Sequence, residues 1–207
     1  MVSENGRRHG LLVDYGGVLT SNLFDSFRAF CAEAGIEPEG VANRFRSDPA
    51  ARQLLIALET GKLPEEQFEA EFGAMLGVSP EHLIDRLFAG STPEATMVEA
   101  VARARAAGVR TGLISNSWGT RRYDRPQLSQ LFDTIVISGE VGIRKPAVEI
   151  YALGLERIGL EARDCVYVDD LAFNLAPAAE LGMTTVHHVE PEQTIDELER
   201  HLGVRLR

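Results

Sequence analysis

Leu11-Leu12-Val13-Asp14-Tyr15-Gly16-Gly17-Val18-Leu19-Thr20 is the stretch whose reading decides the fold. An apolar run leads directly into one carboxylate, and two glycines follow. Residues 10–13 read as a buried strand, apolar and bounded by turn signals. Asp14 then stands at the carboxyl end of that strand, the edge along which open α/β sheets bind ligands. A carboxylate there is costly unless a metal ion or close backbone donors compensate it. Gly16 and Gly17 let the chain turn sharply and bring its backbone close to a ligand. Taken alone, the stretch fits an ordinary Asp/Gly turn equally well, so the rest of the chain has to decide.

Beyond Thr20 the pattern becomes helical. Residues 22–34 carry Leu23, Phe24, Phe27, Phe30 and Cys31 at helical spacing, and Gly35 follows. Further helices are expected at 38–45, 49–59, 64–75 and 80–88, with prolines near their starts and glycines after their ends. No convincing strand falls between Thr20 and Gly90. From Thr92 helices and strands alternate: helix 93–107, strand 109–115, a polar and basic segment 118–131 that is part loop and part helix, strand 134–138, helix 146–158, strand 165–168, helix 171–181, strand 183–187 and helix 195–202. Such alternation predicts an α/β fold with a doubly wound parallel sheet. Residues 1–20 and 91–207 form the core in this reading, and 21–90 a small inserted helical cap.

The chain has 207 residues, of which 44% are hydrophobic and 25% charged, so a packed core is expected. Its 21 basic and 31 acidic residues give a net charge of −10, which argues against a nucleic-acid partner. A phosphorylated small substrate needs only local positive charge and stays open. Cys31 and Cys165 read as small buried thiols rather than a disulfide. No apolar run approaches the roughly 18 residues of a membrane span, and residues 1–9 lead into no signal-type apolar region, because Asp14 interrupts the run. A cytoplasmic monomer or homodimer without a membrane or nucleic-acid partner is the default expectation.

Polar groups gather after four strands. They are Asp14, then Ser115-Asn116-Ser117, then Gly142-Ile143-Arg144-Lys145-Pro146, then Asp169-Asp170 with Asn174 four residues on. Parallel strands bring such ends to one edge. Three carboxylates in one place repel unless a cation sits among them, and hard oxygen donors with room for water suit Mg²⁺. Lys145, the Ser115 hydroxyl and backbone N–H groups at Ser115-Asn116 would hold an anionic oxygen. Together they describe a phosphoryl site.

Asp14-Tyr15-Gly16-Gly17-Val18, Ile114-Ser115-Asn116, Arg144-Lys145-Pro146 and Val168-Asp169-Asp170 with Asn174 resemble the four ordered motifs of the haloacid dehalogenase-like hydrolases. The likeness runs from about Leu11 to Val186, and the helical insert falls where that family carries its smaller cap. It implies a Rossmann-like core, Asp14 as a nucleophile that forms an aspartyl-phosphate, and Ser115, Asn116 and Lys145 as substrate-binding groups. It also implies a Mg²⁺ site made of Asp14, the Gly16 carbonyl, Asp170 and its partner Asp169. The substrate would be a small phosphorylated metabolite.

One position departs from the family's phosphatases, which usually carry a second aspartate, as general acid and base, two residues after the nucleophile. Here it is Gly16. The carbonyl survives and the proton donor does not, and such help is typically worth about 10²–10⁴-fold. A slow phosphatase is therefore expected, with a non-catalytic phosphate-ester-binding protein as the alternative. Metal-independent dehalogenases are disfavoured: they typically carry a tyrosine two residues after the nucleophile, whereas Tyr15 comes one too early, and they lack the acidic pair.

Other residues have plainer readings. Asn174 either bonds the loop holding Lys145 or is an ordinary polar helix residue. His187 and His188 read as edge or loop residues, and Phe24, Phe27 and Phe30 as core of the insert. Arg44, Arg46 and Arg52 read as solvated helix face. Trp118, Arg121, Arg122 and Tyr123 are candidates for the entrance of the site.

Overall fold

A computed structural model describes residues 8–207 of the protein. Strands β1 (Gly10–Val13), β2 (Arg110–Ser115), β3 (Thr134–Ile137), β4 (Cys165–Asp169) and β5 (Thr184–His187) form one sheet in the order β3-β2-β1-β4-β5. All four pairings are parallel. Between β1 and β2 the chain makes helices α1 (Leu23–Ala34), α2 (Gly40–Ser47), α3 (Pro49–Glu59), α4 (Glu65–Leu76) and α5 (Leu83–Phe88). Helix α6 (Ala95–Ala106) leads into β2, and α7 (Arg125–Leu131), α8 (Ser138–Val141), α9 (Val148–Ile158), α10 (Ala172–Glu180) and α11 (Pro191–Leu202) follow. None of the described helices is long and apolar enough to cross a membrane.

The period of two along β1 builds the core's two layers. Leu11 and Val13 pack with Met97 and Val101 of α6 and Leu198 of α11. Leu12 points the other way, among Ile150 and Tyr151 of α9 and Ala178 of α10. A strand that meets helices on both faces has no polar side, which is why 10–13 reads as a continuous apolar run. β1 lies at the centre with Val13 level with Leu113 and Val168. That register sends Asp14, Ser115 and Asp169 out at the same edge.

The insert leaves and rejoins the core by two strands of chain held side by side. Thr20 and Pro93 form an isolated antiparallel bridge, Ser21 N–H donates to Thr92 O (2.8 Å), and Glu94 N–H donates to Leu19 O (2.9 Å). Its helices close over their own apolar cluster, which includes Phe27, Phe30, Leu54, Phe68, Phe72 and Leu87. Local signals start these helices as expected. Asn22 caps α1 by accepting from Phe24 N–H (2.8 Å), and Asp48 caps α3 by accepting from Ala50 N–H (2.9 Å), with Pro49 in the first turn. Cys31 and Cys165 are buried free thiols.

The structure corrects several expected boundaries: the helix expected at 38–45 lies at Gly40–Ser47, the one expected at 80–88 starts at Leu83, and two further shifts have a plain local cause. The last helix begins at Pro191 rather than 195, because Pro191 occupies its first turn. Strand β3 passes directly into the one-turn helix α8, so Ser138 heads a helix instead of ending a strand. That short helix touches the end of α3. Gly61, at φ +67°, lies so near Gly139 that a Cβ there would run into the Gly139 carbonyl oxygen, whereas Gly77, at φ +71°, has open space around it.

Those two glycines allow a paired test of the contact between insert and core. Gly77→Ala should cost about 1–2 kcal/mol for the left-handed backbone alone. Gly61→Ala should cost about 1–3 kcal/mol more, because backbone on both sides must move. Equal losses in chemical denaturation would show that the α3–α8 contact does not hold the insert.

Candidate active site

Lys145 lies at the centre of the sheet's carboxyl edge. Its side chain is 1% exposed, and Nζ stands 2.7 Å from Asp14 Oδ1 and 2.8 Å from Asp169 Oδ2. Asp14 follows β1 directly, and its own N–H donates to Val168 O of β4 (2.9 Å). Tyr15 N–H donates to Asp14 Oδ1 (2.6 Å). At Gly17 the backbone takes φ +77°, and a Cβ there would collide with the Asp170 carboxylate. The second glycine of the opening stretch thus lets the turn after β1 pass against the turn after β4.

Asp14, Asp169 and Asp170 each offer an oxygen, and these atoms lie within 4.8 Å of one another. With all three ionised, as a bound cation would favour, three carboxylates less one ammonium leave two negative charges uncompensated. The donors are hard oxygens at one cleft, so the set fits a divalent ion of the Mg²⁺ type. The three are not equivalent. Asp169 is fully buried, and donors crowd both its oxygens. Oδ2 accepts from Lys145 Nζ (2.8 Å) and from the Tyr167 hydroxyl (2.5 Å), and Oδ1 from Leu171 N–H (2.9 Å). Asn174 Nδ2 donates to both, at 3.0 and 3.2 Å. Asp170 is less enclosed, and its carbonyl oxygen lies 2.9 Å from His187 Nε2.

Burial dominates the ionisation of the group. It lifts the Asp14 carboxyl to about 8, against the pull of Lys145 and with added repulsion from Asp169 and Asp170. Asp170 rises to about 6, again through burial and then the Asp169 charge. Asp169 shifts the other way, because Lys145, Tyr167 and Asn174 together outweigh its burial. Lys145 also resists burial, and the two carboxylates it touches raise it above the ordinary lysine value.

Ser115 ends β2 almost fully buried, its Oγ 2.8 Å from the Tyr123 hydroxyl. Asn116 clamps the lysine's backbone from both sides: Oδ1 accepts from Lys145 N–H (2.8 Å) and Nδ2 donates to Lys145 O (3.1 Å). The Lys145–Pro146 peptide is cis. Ser117 N–H donates to Ser138 Oγ (2.9 Å), and that hydroxyl donates to Glu59 O at the end of α3 (2.5 Å). Glu59 is itself buried, with Arg144 Nε 2.5 Å from its Oε2. Burial lifts its carboxyl to about 7 in spite of Arg144.

A cavity of about 710 Å³ opens over these groups. Asp14, Gly16, Ser115, Asn116, Lys145 and Asp170 line it from the core, and Phe24, Phe27, Phe45 and Leu55 from the insert. Trp118, Arg122 and Tyr123 reach the lining, whereas Arg121 turns outward to Glu65 Oε2 (2.8 Å). Several plain readings need correction. Phe24 and Phe27 face the cavity as well as the insert's core. Arg46 and Arg52 reach the lining rather than only solvent, while Arg44 donates to Met75 O (2.7 Å). Asn174 holds Asp169 and not the Lys145 loop. His188 is buried, with Nδ1 2.9 Å from Thr194 Oγ1.

Tyr167, Glu59 and Ser138 join the site without belonging to any of the four motifs. Tyr167 had a usable signal, since it stands two residues before Asp169 in a strand and must share its side of the sheet. Glu59 and Ser138 had none, because they meet only when the insert packs on the core.

A family model described as haloacid dehalogenase-like hydrolase matches residues 9–182. Acyl-CoA dehydrogenase family member 10 of Mus musculus is 31% identical over 156 residues, 70% of this chain and 15% of that protein. The chain thus spans only a small part of that relative. Sesquiterpene phosphatase astK of Aspergillus oryzae is 27% identical over 152 residues, 70% of this chain and 77% of that protein. A crystal structure of a family enzyme from Bacteroides thetaiotaomicron, in complex with magnesium and inorganic phosphate, superimposes with a TM-score of 0.65 at 20% identity, covering 88% of this chain and 94% of that one. With the family's pattern matched across most of its length, on a parallel sheet whose carboxyl edge gathers the acidic groups and the lysine, this chain belongs to the haloacid dehalogenase-like hydrolases.

Proposed function

We propose that the chain is a Mg²⁺-dependent phosphatase acting on a small phosphate monoester through an aspartyl-phosphate at Asp14. The observation that carries this reading is the buried Lys145 ammonium bridging Asp14 and Asp169 beside a third carboxylate. The Bacteroides enzyme's complex with magnesium and phosphate and the phosphatase among the relatives support it.

In this reading Asp14, Asp170 and the Gly16 carbonyl hold the metal. Asp169, its oxygens already taken by donors, orients Lys145 and completes the negative surroundings. When bound, the ion supplies positive charge that neutralises the phosphate and keeps Asp14 ionised. Lys145 and the Ser115 hydroxyl bind the non-bridging phosphoryl oxygens. An Asp14 oxygen attacks phosphorus, the P–O bond to the organic group breaks, and that oxygen leaves with the bonding pair. Water then attacks the aspartyl-phosphate, releasing phosphate and restoring Asp14. The proton for the leaving oxygen comes from solvent in this scheme, because residue 16 has no side chain to give one. The insert of residues 21–90 acts as a cap that keeps bulk water from the acyl phosphate.

Phosphate release from a panel of monoesters, with and without Mg²⁺, tests the reading. Asp14→Asn should lower the metal-dependent rate by about 10³-fold or more; a variant as active as wild type would remove the proposed intermediate. Restoring an acid by Gly16→Asp should raise turnover by about 10–100-fold if protonation limits it. A Cβ at Gly16 would lie 2.8 Å from Leu23 Cδ1, so Gly16→Asp/Leu23→Ala is the fair form of this test. Tight ester binding with no hydrolysis in either background would favour a binding protein.

The raised Asp14 carboxyl also predicts how Mg²⁺ stabilises the fold. Asp14 goes from 3.8 unfolded to about 8 folded, so its contribution to metal-free stability is complete below pH 4 and lost as pH rises through 8. Mg²⁺ competes with that proton. The gain in Tm on adding Mg²⁺ should therefore be larger at pH 8 than at pH 6, and an equal gain at both would count against Asp14 as a ligand.

A further inference from the structure

The cavity over Asp14, at about 710 Å³, is far larger than a phosphoryl group and falls in the range that holds drug-sized ligands. Hydrocarbon dominates its far wall, which Arg46, Arg52 and Glu59 also reach. Leu23, Phe24, Phe45, Leu55, Phe88 and Trp118 all line it and are only partly buried, so each keeps surface free for a ligand. Phe173, 59% exposed, carries the same character to the cavity edge. Apolar matter also comes close to the nucleophile, since Leu23 Cδ1 occupies the space that a side chain at residue 16 would need.

Much of the polar capacity around the cavity is already paired, although Glu59 Oε2, Arg122 Nε, Arg144 Nε and Asn174 Oδ1 are buried without a hydrogen bond. Arg144 faces Glu59 at 2.5 Å, and Arg122 Nη2 lies 2.7 Å from Asp85 Oδ1. Arg52 Nη1 donates to Arg46 O (2.6 Å). Both arms of the Asn116 amide are spent on Lys145. A polyhydroxylated substrate would bury hydroxyls against ring faces without partners, which weakens binding. An apolar group would instead displace water from hydrocarbon surface.

We infer that the organic part of the substrate is a bulky hydrocarbon group, alkyl, prenyl or aryl, rather than a sugar, and that it lies against the aromatic wall formed by the insert and Trp118. This rests on the phosphatase reading for the orientation of the ester, with phosphate at Lys145 and the apolar group toward Phe45 and Leu55.

The protein reports its own occupancy, because Trp118 is its only tryptophan. Trp fluorescence of the wild-type chain with Mg²⁺ is titrated with methyl-, butyl-, hexyl-, phenyl- and naphthylphosphonate, which it cannot hydrolyse, and with polyhydroxyalkyl phosphonates of matched carbon number. Kd should fall about threefold for each added methylene, and the hydroxylated compounds should bind at least tenfold more weakly than their alkyl counterparts. Comparison of the alkyl and aryl arms separates chain-like from ring-like substrates. Flat affinity along the series, or tighter binding of the hydroxylated set, overturns the inference. Leu55→Asp should flatten the slope, and Phe173→Ala, at an exposed position where folding is not at stake, should reduce it. A slope that survives both places the hydrocarbon elsewhere and also overturns it. The two readings fail separately. Apolar phosphonates that bind, with no phosphate released from any monoester, sink the phosphatase and leave this wall occupied. Turnover that favours sugar phosphates does the reverse.

Discussion

A lysine ammonium buried between two carboxylates is the constraint to which the rest of this molecule answers. Lys145 is 1% exposed, and a charge in that position is tolerable only if its partners stay in place. The fold secures both. Asp14 is fixed by the central strand and by Tyr15 N–H. Asp169 is fixed by Tyr167, Asn174 and Leu171 N–H. Asn116 grips the lysine's backbone on both sides. Remove any of these and the ammonium loses a counter-charge or its aim. The same restraints leave an excess of negative charge at the mouth, which is the condition for holding a divalent cation.

The insert is tied to this centre by backbone and by packing. Ser138 connects the loop after β2 to the end of α3 through Glu59 O. The loop after β2 also plants Trp118 among Phe27, Phe45, Phe68 and Phe88, with ring centroids 5.4 to 5.7 Å apart. Such pairs are each worth about 0.5–1.5 kcal/mol beyond burial. The turn after β2 and the insert's core therefore share a side chain, and a ligand that touches one touches the other. An aromatic wall facing a polar floor follows from that sharing.

The four polar strand ends were legible because parallel strands leave a plain signature: apolar run, then polar group, then turn. Asp14, Ser115, Lys145 and Asp170 came from that signature, and all four line one cavity. The insert was legible too, since its helices carry their own stop and start residues. What could not be read was which face of each insert helix meets the core. Phe24 and Phe27 serve both the insert's core and the cavity, and helical spacing alone does not distinguish the two uses. Arg46 and Arg52 looked like solvated charge for the same reason. That Asp169 faces Lys145 could not be read either, because adjacent residues of like chemistry differ only in which way the backbone turns them.

By itself, then, the chain's order of residues determined the strand–helix alternation, the edge at which chemistry gathers and the residue types gathered there. These follow from local periodicity and from the handful of ways parallel strands connect. Only the tertiary structure decided that Asp169 serves the lysine while Asp170 stays open, that Glu59 and Ser138 join the site at all, and that the cavity's far wall is aromatic. Those outcomes depend on contacts between segments tens of residues apart, whose geometry is set by packing and leaves no mark in local spacing.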